Sequence, residues 1–484
     1  MLLILSLIAL LLFYINFRWN RRRMYELAEK IPGTNGLPIV GHMFSFIGLD
    51  LENNLNDGMK LIKKNLPISK IWAGSSLFVI VNSAEHSQTL LNSSDCLKIP
   101  FMFSRPFLAR YGLVIANGDI WQKHRKILSY SFKLNVLNSL QPLFNEKSKK
   151  CIDKLQSKVD CGYFNISKFI AALTIETTMK GNFNYDQDFY GSKIIDDIDS
   201  AKPLMMKRLT QPWMNWEFIF QRSQLYKDMW GKITELHEKI DEIIEANEMR
   251  NNNNEGEPET TYVIDQLLNK KYNLSHEEIR DEIYIFILAG YETSSVSLSA
   301  ILLLLAIHTD VQQKLINEVD EFFDGNDVSV EDLHKYKYTE MVIKEALRIF
   351  PTIPIVPRKV TKEFQLNEHR IPKDAILIEF IYALHRNKDY WGEDALKFIP
   401  ERFEPENMKD IHTHAYLPFA AGKRMCIGHK YAMSFAKTFL VHFFKNYEIK
   451  SPHKFEELTP KMTPTLEIAQ KYIVSLTRRK NKSE

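Results

Sequence analysis

Within the stretch from Pro418 to Phe444, Cys426 stands between Gly422 and Gly428, and a long apolar helical pattern begins just after it. A thiol at such a strand-to-helix junction faces backbone N–H groups and the positive end of a helix. Both favour the thiolate, the form of sulfur that ligates a metal. Gly422 permits a tight bend, and Gly428 lets the backbone approach something flat. Taken by itself, a lone cysteine among apolar residues is usually an inert buried thiol. A second set is Ala289-Gly290-Tyr291-Glu292-Thr293, which places an acid and an alcohol inside an apolar run. Adjacent groups of that kind can pass protons, although the same residues also read as a cap between two shorter helices. Glu345 and Arg348 put opposite charges on one helix face, in isolation an ordinary solvated pair. Trp121 and Arg125 share a face by four-residue spacing; without further context Arg125 and Arg358 read as surface cations.

The elements that must position these residues are mostly helical. A capping box of Ser275 with Glu278 opens an apolar run that predicts one long helix from Ser275 to Thr309, carrying Glu292 and Thr293 at its middle. Residues Ile68 to Val81 give two β-branched runs around Gly74-Ser75, a hairpin pattern, and Phe364 to Tyr382 is strand-like with Asn367 and Pro372 as breakers. Ala246 to Thr261 is polar and Asn/Glu-rich and reads as a long exposed connection within one domain. The chain is expected to be mainly α with small β-sheets, in one large domain over residues 39–484.

Ahead of that domain, Leu2 to Phe17 is uncharged and rich in Leu and Ile, and is followed by Arg18, Trp19, Arg21, Arg22 and Arg23. Residues 1–17 read as a membrane anchor, with arginines and Trp19 at the interface. No basic residue precedes the apolar run and no small-residue cleavage site follows it, which argues against a cleaved signal peptide. Arginines C-terminal to the run leave the body cytosolic by the positive-inside rule. Residues 18–38 form the basic flank and a Pro/Gly-rich hinge. In the 484-residue chain, 63 Lys+Arg against 60 Asp+Glu leave a net charge of +3, too balanced for nucleic-acid binding. Four cysteines cannot form a disulfide framework, which fits a reducing compartment.

The spacing Phe419, Gly422, Arg424, Cys426, Gly428 resembles the haem-binding loop of the cytochrome P-450 family, and the likeness extends over nearly all of the chain. It implies that Cys426 is the axial thiolate of a haem iron, that Arg424 faces a propionate, and that Phe419 packs beside the sulfur. Glu345 and Arg348 then look like the family's E-x-x-R pair, joined to Arg402 of Pro400-Glu401-Arg402-Phe403 in a buried structural network. Residues 289–293 resemble the oxygen-activation motif. Ala289 and Gly290 leave room for dioxygen, Thr293 hydrogen-bonds it, and Glu292 helps relay protons. Trp121 and Arg125 are directed at a propionate, and Arg358 sits where relatives often place another propionate ligand. Ala289 stands where some relatives carry a glutamate bonded to haem, so the haem is expected to be non-covalent.

The stretches Arg208 to Phe220 and Pro351 to Phe403 are most similar to the branch with fatty-acid omega-hydroxylases and insect microsomal enzymes. The resemblance therefore implies a monooxygenase that inserts one atom of O2 into an apolar substrate: a fatty acid, a hormone-like lipid or a xenobiotic. Electrons would come from NADPH through an NADPH-cytochrome reductase, with cytochrome b5 as a further partner, at the endoplasmic reticulum membrane facing the cytosol. A haem-thiolate isomerase or dehydratase acting on peroxides is the alternative within enzymes, and an inactive haem-binding protein the alternative outside them. The retained Glu292-Thr293 pair argues against both.

Overall fold

The computed structural model describes residues 2–37, 39–42, 55, 67–98, 109–253 and 262–479. Pro38, the end of the expected hinge, lies outside these residues, as do 254–261 of the polar stretch.

Among the described residues two helices are long and apolar enough to cross a membrane, and they differ in what surrounds them. The first, α1 (Leu2–Asn20), has none of its apolar window buried. At 1.5 Å per residue it spans about 28 Å, because the helix runs through Arg18 and Trp19 beyond the apolar run itself. A short helix α2 (Arg22–Glu29) follows, with Arg23 paired to Glu363 at 2.9 Å. The Pro/Gly segment after it is pinned rather than free. Lys70 N–H donates to Pro32 O at 2.7 Å, and a Cβ on Gly33 would come within 2.4 Å of Lys70 O.

A five-stranded sheet receives that segment. The hairpin β1 (Ile68–Ala73) and β2 (Ser76–Val81) pairs Ile68 with Val81 and Trp72 with Leu77, so alternate residues face the core. The helix α3 (Ala84–Asn92) follows, then β3 (Cys96–Leu97), β4 (Val356–Val360), the hairpin β5 (Phe364–Leu366) and β6 (His369–Ile371), and β7 (Ile376–Glu379). The order is β1-β2-β7-β4-β3, with β2 and β7 parallel. Asn367 takes φ +50°, a left-handed turn position that Asn tolerates where glycine is more usual.

The helical body comprises α4 (Gly118–Leu128), α5 (Gln141–Leu155), α6 (Ser167–Phe183), α7 (Lys193–Thr210), α8 (Gln224–Asn253), α9 (His276–Ile307), α10 (Thr309–Phe322), α11 (Lys337–Ile349) and α12 (His429–Asn446). The second membrane-length helix is α9, and most of it is buried in the protein core. Its start is fixed by the expected capping box: Glu278 N–H donates to Ser275 Oγ at 3.2 Å, and Ser275 N–H to Glu278 Oε2 at 2.7 Å. From Leu298 to Ala306 it is buried on every face, as an apolar helix at the centre of a bundle should be. Residues 246–253, expected in an exposed connection, instead continue α8. Buried Asn247 satisfies its side chain on Phe183 O and Ile243 O, both at 2.9 Å, so a polar composition there signals capping of a neighbouring helix and not a loop.

Candidate functional site

Cys426 lies in a turn between a short 3-10 segment (Gly422–Arg424) and α12; the expected strand before it is absent. Its N–H donates to Phe419 O at 3.0 Å, which closes the loop. Gly422 is required twice over: its φ is +69°, and a Cβ would lie 2.4 Å from Leu91 O on α3. A Cβ on Gly428, in contrast, would meet only Phe132 at 3.6 Å among the described residues, none of which demands glycine there, and the backbone lies open to a cavity. The Cys426 side chain is accessible although the fold encloses it, because it opens onto that cavity. Burial pushes its thiol up; the Gly428 N–H, Arg125 and Lys98 pull the other way without winning. A metal cation would reverse that balance, since a coordinating thiol loses its proton outright.

The cavity has a volume of about 440 Å³ and brings together residues from across the chain. Cys426, Phe419 and Arg424 line it from the loop, Trp121 and Arg125 from α4, and Ala289, Gly290, Glu292 and Thr293 from α9. Apolar side chains such as Leu113, Val114, Ile198 and Ile353 complete much of the wall. The helix α4 is held against α9 by the buried His124, whose ring meets Glu282 at 2.7 Å and Glu278 at 3.2 Å. Burial works against the charge of His124, but the two carboxylates raise its pKa overall.

One wall of the cavity is positively charged. Arg424 donates to Ala116 O at 2.7 Å and Asn117 Oδ1 at 2.9 Å, stacks over Trp121 at 4.0 Å, and leaves Nη1 buried without a hydrogen-bond partner among the described residues. Lys98 lines the same wall, its pKa pushed well down by burial and then by Arg358 and Arg424. Arg358 does not line the cavity. It is buried in β4, donates to Pro357 O at 3.1 Å, and is brought down to about 10 by burial. Burial likewise lowers Arg125, and brings Arg424 to about 10. Among the described residues no carboxylate forms an ion pair with these four cations. Buried charge of one sign is costly unless a partner neutralises it. The unsatisfied Arg424 Nη1, the open backbone at Gly428 and the cavity-facing thiol together fit a flat, dianionic, metal-bearing group such as haem.

On the opposite wall, Thr293 Oγ1 donates to Ala289 O at 2.6 Å. Glu292 is buried and accepts from Lys202 Nζ at 3.0 and 3.2 Å and from Thr465 Oγ1 at 2.8 Å. Burial raises its pKa, and Lys202 opposes that rise. Gly290 lines the cavity and also packs closely against a second helix. A Cβ there would lie 2.8 Å from Thr178, so its missing side chain permits the close approach of α6 to α9.

Beneath the loop, Glu345 and Arg348 form a bidentate pair, with both contacts at 2.7 Å and both side chains 0% exposed. The remaining N–H groups of Arg348 donate to His385 O and Ala395 O at 2.7 Å and to Lys397 O at 3.0 Å, which satisfies the whole guanidinium. Arg402 joins Glu345 at 3.5 Å. Neutral His385, held near pKa 3 by burial, accepts Leu417 N–H at 2.7 Å and so links the network to the cysteine loop. Sequence reasoning missed Lys98, His124 and Lys202; none belongs to a spacing pattern.

A family model described as Cytochrome P450 matches residues 31–475. A probable cytochrome P450 313a3 from Drosophila melanogaster is 29% identical over 477 residues, covering 95% of each chain. Cytochrome P450 4V2 from Homo sapiens is 30% identical over 472 residues, covering 90% of this chain and 89% of the relative.

Proposed function

As the chain belongs to the cytochrome P450 family and is a haem-thiolate monooxygenase, we propose that Cys426 ligates the haem iron in this cavity and that the substrate is a lipid-like apolar molecule. When bound, the haem supplies the redox chemistry: dioxygen takes up two electrons and two protons, one oxygen atom enters the substrate and the other leaves as water.

The observation that carries the assignment is the pairing of a cavity-facing thiol with a wall of uncompensated cations. Arg424 and Lys98, with Arg125 and Trp121 from α4, hold the two propionates, and Arg358 adds positive potential from behind the wall. Thr293 donates to Ala289 O and so presents lone pairs to the cavity; rotation of the hydroxyl about its Cβ–Oγ1 bond is needed before it donates inward. Glu292 supplies a proton to that hydroxyl, and Lys202 governs how readily it does so. The apolar wall excludes water and takes up the substrate chain by burial. A fatty acid, hormone-like lipid or xenobiotic suits such a wall.

The exposed α1 fits a membrane anchor, and we place the enzyme at the endoplasmic reticulum membrane, taking electrons from an NADPH-dependent reductase with cytochrome b5 as a further donor. The reduced enzyme with carbon monoxide should show the absorption of thiolate-ligated haem, and Cys426→Ser should abolish it. Haem retained with that band intact in the variant removes Cys426 from the site. Spectral shifts across a lipid panel, with product analysis in a reconstituted reductase system, then identify the substrate.

A further inference from the structure

A group of potential ligands lies between α3 and the β5–β6 hairpin, outside the lining of the haem cavity. His86, in the first turn of α3, is 4% exposed at its side chain, and its Nε2 is buried without a hydrogen-bond partner among the described residues. A buried ring nitrogen left in that state is costly, so it calls for an occupant. The nitrogen is aimed at the Glu368 carboxylate, 3.7 Å away, which in turn lies 3.3 Å from His369 Nε2. One ligand atom from each of the three residues lies within 4.8 Å of the others.

We infer that His86, Glu368 and His369 form a binding site for a divalent cation of the zinc type. Two imidazoles with one carboxylate are a borderline-soft donor set that suits zinc and not calcium or magnesium. Tetrahedral ligation at about 2.0–2.2 Å puts ligand atoms roughly 3.3–3.6 Å apart. The His369–Glu368 distance already meets this, and the His86–Glu368 distance needs to close by a few tenths of an ångström. Glu368 is 63% exposed at its side chain, so its carboxylate is free to rotate into place and the fourth position opens to water. The arrangement behind the ligands fits as well. His86 Nδ1 lies 2.6 Å from Ser83 Oγ, an oxygen partner of the kind that orients a ligating imidazole. Thr89 donates to Asn367 Oδ1 at 2.8 Å, which already holds the hairpin turn against α3.

The cation would clasp the hairpin to α3, the helix whose Leu91 carbonyl abuts Gly422 in the cysteine loop. It therefore acts as a structural clasp beside the haem loop, without contact to the reacting atoms.

The test uses haem-loaded, full-length enzyme stripped of adventitious metal and then equilibrated with micromolar zinc. One zinc per chain in addition to iron is expected, with only nitrogen and oxygen in its X-ray absorption shell at about 2.0–2.2 Å, and with a higher melting temperature. His86→Ala and His369→Ala should each weaken zinc binding by at least about tenfold while the carbon monoxide band of the reduced enzyme persists. His369 sits in the hairpin, so its variant keeps the question open to measurement even if loss of the buried His86 unfolds α3. Failure of the wild-type enzyme to take up zinc, unchanged uptake in a folded variant, or sulfur in the zinc shell would each overturn the site. The haem assignment is read separately, by the carbon monoxide band.

Discussion

Lys202, on α7, bridges to Glu292, on α9, at 3.0 Å, and the same ammonium reaches Glu467 at 2.7 Å and Asp199 at 2.9 Å. The acid of the proposed proton relay is therefore also the point where α7, a wall of the cavity, is fastened to the central helix. Lys202→Met removes the charge that opposes the burial-driven rise of the Glu292 pKa. The carboxyl will then keep its proton to higher pH, and the pH profile of turnover should move alkaline by about 1–3 units. Glu292→Gln in the same background should erase that movement. Identical pH profiles for wild type and Lys202→Met would show that the bridge only fastens helices.

Thr293 is the cavity-facing hydroxyl on α9 that the relay requires. Thr293→Ala should retain haem and its carbon monoxide band while product formation falls by about 10²-fold or more. NADPH consumption should continue and appear as peroxide. The ratio of product to NADPH consumed is the measurement, and unchanged coupling would remove Thr293 from the mechanism.

Glu345→Ala leaves the Arg348 guanidinium fully buried with no carboxylate opposite it, and frees the Ile399 N–H that Glu345 accepts at 2.9 Å. Breaking a buried pair by removing one partner costs about 3–5 kcal/mol. We expect poor haem incorporation and a strongly lowered melting temperature, with Glu345→Gln only partly rescuing either.

Glu379 in β7 is 0% exposed, accepts from Ser87 Oγ at 2.8 Å, and burial holds its carboxyl up to about 8. Asp281 on α9, also raised by burial, is held at about 7, with the Tyr111 N–H at 2.9 Å opposing the rise. Both pKa values lie above those of the unfolded chain, about 4. In the interval between, the folded state binds more protons than the unfolded state. Their contribution to stability is thus intact below pH ~4, declines as pH rises and is exhausted above about 8. Melting temperature should fall between about pH 4 and pH 8 and level off above, and Glu379→Gln, which keeps the Ser87 contact, should flatten that fall.

The sequence by itself determined what short-range spacing can encode. The capping box at Ser275 and Glu278 starts α9 because its two hydrogen bonds close within three residues. The β1–β2 hairpin follows from alternation around Gly74-Ser75, and the bend at Gly422 from a positive φ that only glycine takes without strain. The tertiary structure decided the rest, because a contact between distant segments depends on how helices pack and leaves no periodic mark on either one. Lys202 and Glu292 are 90 residues apart in the chain. That Gly290 also lets α9 approach Thr178 on another helix is visible only once the helices pack. The polar residues after Ala246 read as a loop until packing against α6 supplied Asn247 with its carbonyl partner. Even the Glu345–Arg348 pair, whose spacing alone matches a solvated surface pair, becomes a zero-exposure network only once the chain from His385 to Ile399 folds over it.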